Sequence, residues 1–214
     1  MKLIIFDMDG TLVDTETMYI QVLVQFLRSH NQKVDMKMLQ DTVGISFDEF
    51  YQRLSNHWNP KKSKEEIQSL FEQINWRTTF DWNDLLFPFV HYCLTTLKEN
   101  GYTLVIASGS PMELIKDMVE STKTSSYFDK LYTADDCTNG KPDPEIFLKI
   151  MLDYQIEAKD VIVIEDSIHG IDAGKAAGAY VIARKEDRLP FCQQKADYIA
   201  TDFSDITNHI LERG

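Results

Sequence analysis

Short apolar runs recur along this chain and are separated by longer stretches in which apolar residues have helical spacing. The runs predict buried strands at residues 2–6, 103–107, 129–133, 161–164 and 179–183, and the stretches that follow the second, third and fourth runs predict helices at 111–121, 144–154 and 168–177. Strands that alternate with helices and are mostly apolar are typical of a parallel sheet covered on both faces. The predicted fold class is therefore α/β, with a doubly wound, Rossmann-like parallel sheet.

Between the first strand and Pro88, about 65 residues show helical spacing and no strand pattern. Met18, Val22 and Phe26 form one face of a first helix. A second helix is predicted at residues 48–58, and Ser63 with Glu66 predicts a capping box that opens a third. The predicted organisation is an α/β core of residues 1–14 and 82–214, with a helical insertion at 15–81.

The first strand ends in two carboxylates, within Asp7-Met8-Asp9-Gly10-Thr11. A pair of buried carboxylates is costly without a partner, and a divalent cation bound through oxygen, often shared with a phosphate, is the usual one. The alternative is that Asp7 merely ends a strand and that Asp9-Gly10 forms a turn. For an isolated Asp-x-Asp pair this alternative is the commoner case.

The second strand ends in Ser108, which a flexible turn follows. Ser110, Pro111 and Glu113 predict the N-cap, the first helical residue and the capping-box acid of the next helix. A phosphate at Ser108 would then lie beside backbone N–H groups at the positive end of that helix. The alternative is an ordinary turn serine.

Two more segments of this kind follow. Lys141 lies in the loop 140–144 between Gly and Pro residues, and Glu165-Asp166 ends the strand at 161–164. Lysines in loops are most often solvated, but adjacent acids after a β-branched run are hard to explain as a solvated surface. Because parallel strands deliver their carboxyl ends to one edge of the sheet, we expect all of these residues to lie together.

The four segments, in this order, resemble the four motifs of the haloacid dehalogenase superfamily, specifically its Mg²⁺-dependent phosphatase and phosphomutase branch. Residues 141–147 and 165–170 are typical of the subgroup that includes β-phosphoglucomutase and phosphoglycolate phosphatase. The resemblance covers nearly the whole chain, and it is weakest at residues 15–80. It implies an enzyme with an α/β catalytic core and a helical cap domain, which corresponds to the insertion at 15–81.

The resemblance also implies a role for each motif residue. Asp7 would be the nucleophile that forms an aspartyl-phosphate, and Asp9 would be the general acid and base. Mg²⁺ would be held by the Asp7 carboxylate, the Asp9 main-chain carbonyl and Asp166, with Glu165 as a further ligand or next to the ligands.

The transferring phosphate would be held by Lys141 and Ser108, together with backbone N–H groups near Met8, Asp9 and Gly109. Residues of the predicted cap that could contact the substrate are Tyr19, Ser46 and the Lys61, Lys62 and Lys64 cluster. The alternatives are that Tyr19 belongs to the core of the cap, that Ser46 caps a helix and that the lysines are solvated surface residues.

The favoured reaction is hydrolysis of a small phosphorylated metabolite such as a sugar phosphate. β-Phosphoglucomutases have a His where this chain has Tyr19, and two cations in a cap loop where it has Val43-Gly44-Ile45-Ser46-Phe47. A mutase must retain a bisphosphate, so the loss of two cationic contacts favours a phosphatase. The alternatives are a β-phosphoglucomutase-type phosphomutase and a phosphometabolite-binding protein without catalytic activity.

Composition sets limits on partners. A net charge of −12 argues against nucleic acid or an anionic membrane, since both require a basic surface. The three cysteines are odd in number and far apart, which favours free thiols over disulfides. The N-terminal apolar run stops at Asp7, which argues against a signal peptide. No stretch approaches the roughly 20 apolar residues of a membrane span. We therefore expect a reduced, cytoplasmic protein, with a monomer as the default for a core-plus-cap chain of this size.

Overall fold

The computed structural model describes residues 2–42, 47–74, 80–189 and 192–213. The chain falls into two compact units, one made of Met1–Asp14 with Trp82–Gly214 and the other of Thr15–Asp81. None of the helices in the described ranges combines the length and the apolarity that a membrane crossing requires.

The larger unit is built on one sheet of six parallel strands in the order β3-β2-β1-β4-β5-β6. The strands are β1 (Leu3–Phe6), β2 (Thr103–Ser108), β3 (Lys130–Thr133), β4 (Val161–Glu165), β5 (Tyr180–Arg184) and β6 (Tyr198–Ala200). Its helices, numbered after the four helices α1 to α4 of the smaller unit, are α5 (Trp82–Leu85), α6 (Val90–Glu99), α7 (Met112–Ser121), α8 (Glu145–Asp153), α9 (Ile168–Ala176) and α10 (Phe203–Arg213). The predicted doubly wound α/β fold is confirmed.

The core lies on both faces of the sheet. Leu3 and Ile5 pack in one cluster with residues of α8 and α9. Since successive side chains of a strand point to opposite faces, Ile4 and Phe6 face the other side, and all four side chains are fully buried. Burial on both sides explains why β1 is apolar at every position instead of alternating.

Strand register brings the carboxyl ends of the central strands level with one another. Phe6 is paired with Ile106 of β2 and with Ile164 of β4, so Asp7 emerges between these two strands. Ser108 at the end of β2 is in turn paired with Thr133 at the end of β3. The sheet therefore presents the residues that follow four strands at a single edge.

The smaller unit contains α1 (Thr15–Ser29), α2 (Met36–Asp41), α3 (Phe47–His57) and α4 (Lys64–Glu72). Its core is aromatic: the Phe26 ring centroid lies 5.3 Å from that of Trp58 and 5.0 Å from that of Phe71. The predicted capping box is confirmed, because the Glu66 N–H donates to Ser63 Oγ and the Ser63 N–H donates to the Glu66 carboxylate.

Elements without a predicted counterpart include α2, α5, β6 and α10. β6 is only three residues long and α2 six, too short for a periodic pattern to be distinguished. β6 is specified by its parallel pairing with β5, which is a tertiary interaction.

Close packing of α9 on the sheet depends on Gly174. A Cβ added there would lie 2.8 Å from Val181 Cγ2 and 3.4 Å from Val163 Cγ1, both rigid β-branched side chains. We expect Gly174→Val to lower the free energy of unfolding by about 1–3 kcal/mol, because overpacking forces the helix away from the sheet. Urea denaturation measures the effect. The control is Ala176→Val on the exposed side of the same helix, and equal stability of the two variants would contradict the prediction.

Candidate active site

Lys141 joins the residues that follow β1 and β4. Its ammonium Nζ donates to Asp7 Oδ1 at 2.6 Å, to Glu165 Oε1 at 2.7 Å and to the carbonyl oxygen of Ala107 at 3.0 Å. All three acceptors lie at the carboxyl edge of the sheet, on β2, on β4 and just after β1. The lysine side chain is 13% exposed and that of Glu165 is 1% exposed. This is a buried ion-pair network and not a solvated surface lysine.

Asp7, Glu165 and Asp166 form a compact group of buried acids. One carboxylate oxygen from each lies within 4.8 Å of the others. Asp166 Oδ1 accepts a hydrogen bond from Thr11 Oγ1 at 3.0 Å. Glu165 Oε2 accepts from the N–H groups of Asp166 and Ser167 and from the Ser167 hydroxyl. Three buried carboxylates so close together are a site at which a hard cation could bind.

The electrostatics of this group are strongly coupled. Burial and the neighbouring Glu165 carboxylate raise the pKa of Asp7 well above its usual value, and Lys141 opposes this rise. Burial alone would lower the pKa of Lys141, but the carboxylates of Asp7 and Glu165 raise it above its ordinary value. The lysine therefore stays cationic, and additional positive charge at the site would favour the ionised form of Asp7.

Two glycines leave room for the carboxylates. At Gly10, whose φ is +74°, an added Cβ would lie 2.3 Å from Asp166 Oδ2. At Gly170, on the first turns of α9, an added Cβ would lie 1.8 Å from Glu165 Oε1. The glycine at the end of the Glu-Asp-Ser-x-x-Gly segment is thus explained by the space that the Glu165 side chain requires.

Asp9 is held by two serine hydroxyls. Ser110 Oγ donates to Asp9 Oδ2 at 2.6 Å, and Ser108 Oγ donates to the same oxygen at 3.2 Å. The prediction that Ser110 is the N-cap of α7 is wrong, because the cap position is Pro111 and no side chain caps the helix. The helix begins one residue later than predicted, and this leaves the Ser110 hydroxyl directed at Asp9.

The structure brings six of the predicted site residues to one place: Asp7, Asp9, Ser108, Lys141, Glu165 and Asp166. Met8 is buried, and its carbonyl accepts the N–H groups of Thr11, Leu12 and Val13, which closes a tight turn after β1. Gly109 is exposed between the two serines. The predicted roles of Met8 and Gly109 as backbone donors to a phosphate remain predictions.

The predicted substrate contacts in the insertion belong to the smaller unit. Tyr19 is half-buried on α1, Lys61 is exposed, and Lys62 pairs with Glu66 at 3.6 Å. Ser46 and the rest of the segment 43–46 lie outside the described residues. The roles suggested for these residues likewise remain predictions.

Two residues that support the site were not identified from the sequence. Arg184 Nε donates to the Gly10 carbonyl at 2.6 Å, and its guanidinium lies over the Phe87 ring. The Gln193 amide donates to the carbonyls of Asp166 and Arg184, both at 2.7 Å. An arginine that ends an apolar strand was a usable signal. No sequence signal pointed to Gln193, since the Asp166 carbonyl that it contacts lies 27 residues away along the chain.

The model of the haloacid dehalogenase-like hydrolase family matches residues 4–184. The "phosphorylated carbohydrates phosphatase" of Thermotoga maritima is 29% identical over 180 residues, which are 83% of this chain and 82% of that protein. The phosphoglycolate phosphatase of Vibrio cholerae is 26% identical over 220 residues, covering 98% of this chain and 97% of that protein.

Among solved structures, β-phosphoglucomutase from Clostridium difficile has a TM-score of 0.77 at 23% identity, covering 100% of this chain and 96% of that chain. At this identity the likeness shows a shared fold. The family match includes the site residues Asp7, Ser108, Lys141 and Glu165. The chain therefore belongs to the haloacid dehalogenase-like hydrolase family.

Proposed function

We propose that this protein is a Mg²⁺-dependent phosphatase that hydrolyses a small phosphorylated metabolite, with a sugar phosphate as the favoured class, through an aspartyl-phosphate at Asp7. The observation that carries the proposal is the buried contact of Lys141 with both Asp7 and Glu165 at the edge of the sheet. The names of the relatives support the substrate class, since one is a phosphatase of phosphorylated carbohydrates and another of phosphoglycolate.

The residues present fit Mg²⁺. The buried carboxylates of Asp7, Glu165 and Asp166 lie close together, two of them paired with Lys141, and Mg²⁺ prefers such oxygen ligands. Asp7, Asp166 and the Asp9 carbonyl would hold the ion. The Glu165 carboxylate already accepts hydrogen bonds from Lys141, the Asp166 N–H and the Ser167 hydroxyl. This favours a role in supporting the metal ligands over a role as a ligand itself. When bound, the ion neutralises charge on the phosphate.

In the first chemical step, Asp7 attacks phosphorus and its oxygen forms the new P–O bond. The bond to the leaving oxygen breaks, and Asp9 gives that oxygen a proton. In the second step, water forms a bond to phosphorus while Asp9 takes its proton, and the Asp7 carboxylate is released. Lys141 and Ser108 hold the oxygens of the transferring group.

The helical unit Thr15–Asp81 is the proposed cap domain, and specificity would lie there. Tyr19 and the lysines at 61, 62 and 64 are the candidate contacts within its described residues.

The nucleophile is tested by Asp7→Asn. We expect the turnover of 4-nitrophenyl phosphate to fall by at least about 1,000-fold, because an amide cannot form the acyl-phosphate. Asp160→Asn, at the opposite end of β4, changes an exposed carboxylate in the same way and should retain full activity. Wild-type turnover by a folded Asp7→Asn variant would refute the proposed mechanism.

The metal site is tested by Gly170→Ala. The added methyl group would displace Glu165, and we expect the Mg²⁺ concentration for half-maximal binding to rise about 10-fold or more. Isothermal titration calorimetry measures the binding directly. Gly174→Ala is the matched control, because it adds the same methyl group to the same helix against valines. Equal Mg²⁺ affinities of the two variants would contradict the prediction.

Phosphatase and phosphomutase are separated by one assay with β-glucose-1-phosphate, Mg²⁺ and catalytic β-glucose-1,6-bisphosphate. We expect released inorganic phosphate and no accumulation of glucose-6-phosphate, because the sequence at 43–47 lacks the two cations that would retain a bisphosphate. Efficient formation of glucose-6-phosphate without phosphate release would establish the mutase alternative. Binding without turnover across a panel of phosphorylated metabolites would establish the non-catalytic one.

A further inference from the structure

The hydroxyl of Ser108 has a single proton, which Asp9 receives in the structure and which a bound phosphate would also require. In the structure, Ser108 Oγ donates this proton to Asp9 Oδ2 at 3.2 Å and accepts the Ser110 N–H at 2.9 Å. A serine hydroxyl has one proton to donate. If Ser108 is to hold a phosphoryl oxygen, as the proposed function requires, it must release Asp9 at that moment.

Ser110 has no such conflict. Its hydroxyl lies 2.6 Å from Asp9 Oδ2, the shorter of the two serine contacts, and α7 does not use it as a cap. Short hydrogen bonds from a hydroxyl to a carboxylate are among the strong ones. The Ser110 hydroxyl therefore remains available to Asp9 when the Ser108 hydroxyl turns to a phosphate.

The backbone of Ser110 is fixed from two sides. Its N–H donates to Ser108 Oγ, and its carbonyl accepts from Thr133 Oγ1 at 2.6 Å. Thr133 is only 4% exposed, and its own N–H is held by Asp136 Oδ2. Because Thr133 is paired with Ser108 in the sheet, the direction of the Ser110 side chain is set by the register of β2 and β3.

We propose that Ser110 is a positioning residue for the acid–base chemistry of Asp9. Its hydroxyl holds the Asp9 carboxylate in place throughout the reaction, while Ser108 exchanges Asp9 for the transferring phosphoryl group. Ser110 itself does not contact the reacting atoms. This inference rests on the proposed function, because it assigns a partner to the group that protonates the leaving oxygen.

The test compares two aryl esters that differ in their leaving group, 4-nitrophenyl phosphate and phenyl phosphate. The parameter kcat/KM reports the steps up to departure of the phenol. Phenolate leaves poorly and needs the proton from Asp9, whereas 4-nitrophenolate leaves without one. For Ser110→Ala we expect kcat/KM to fall by about 30-fold with phenyl phosphate and by less than about threefold with 4-nitrophenyl phosphate.

Three further variants complete the design. Ser110→Thr keeps the hydroxyl and should restore both values to within about threefold of wild type. Ser110→Cys places a weak donor at the same position and should lie between Ala and Thr, so it tests the inference even if Ser110→Ala does not fold. Ser121→Ala, on the exposed end of α7, should match the wild type. Melting temperatures identify any folding defect.

Inhibition by inorganic phosphate provides the second measurement. Its inhibition constant should change less than about twofold in Ser110→Ala, because Lys141 and Ser108 still hold the phosphate. Equal losses with both esters, or a rise of the inhibition constant that matches the loss of kcat/KM, would overturn the inference and make Ser110 part of the phosphate site. If the wild type hydrolyses neither ester, the proposed function fails as well. An active wild type with an equally active Ser110→Ala variant overturns the positioning role alone.

Discussion

The ammonium group of Lys141 lies between two buried carboxylates, those of Asp7 and Glu165, and the rest of the site depends on this contact. Removal of one partner from a buried ion pair leaves an uncompensated charge and costs about 3–5 kcal/mol. Lys141 also donates a hydrogen bond to the carbonyl of Ala107. It therefore connects the loop after β3 to the carboxyl ends of β1, β2 and β4. A group that binds substrate phosphate would therefore also hold the acids in place before substrate arrives.

Such a concentration of charge is possible only where the backbone leaves space. Gly10 and Gly170 lie against the Asp166 and Glu165 carboxylates, at distances that no side chain could occupy. Arg184 and Gln193 donate hydrogen bonds to the carbonyls of Gly10 and Asp166, respectively. The acids and the backbone beside them are thus held by several hydrogen-bond donors, which is a condition for a preorganised site.

Much of the fold was predictable from apolar patterning. β1 is apolar throughout, and β4 is apolar up to its last residue, because both faces of the sheet are covered, and runs of this length mark buried parallel strands. Most of the site residues followed from the same reasoning, since Asp7, Ser108 and Glu165 lie at or directly after the end of a strand, whereas Lys141 lies in the loop beyond β3. Ser110 was misjudged for a physical reason. A serine before a proline favours a helix cap, but here Thr133 and Asp9 compete successfully for its backbone and side chain.

The sequence by itself determined the class of the sheet, its first five strands and the set of acids, serine and lysine near their carboxyl ends, because periodicity and residue chemistry can be read from neighbouring positions. Only the tertiary structure decided the partners, which are Ser110 for Asp9 and Gln193 for the carbonyl of Asp166. These contacts join residues that are distant in sequence, or depend on one helix beginning a residue late. They are fixed by strand register and close packing, which no local pattern specifies.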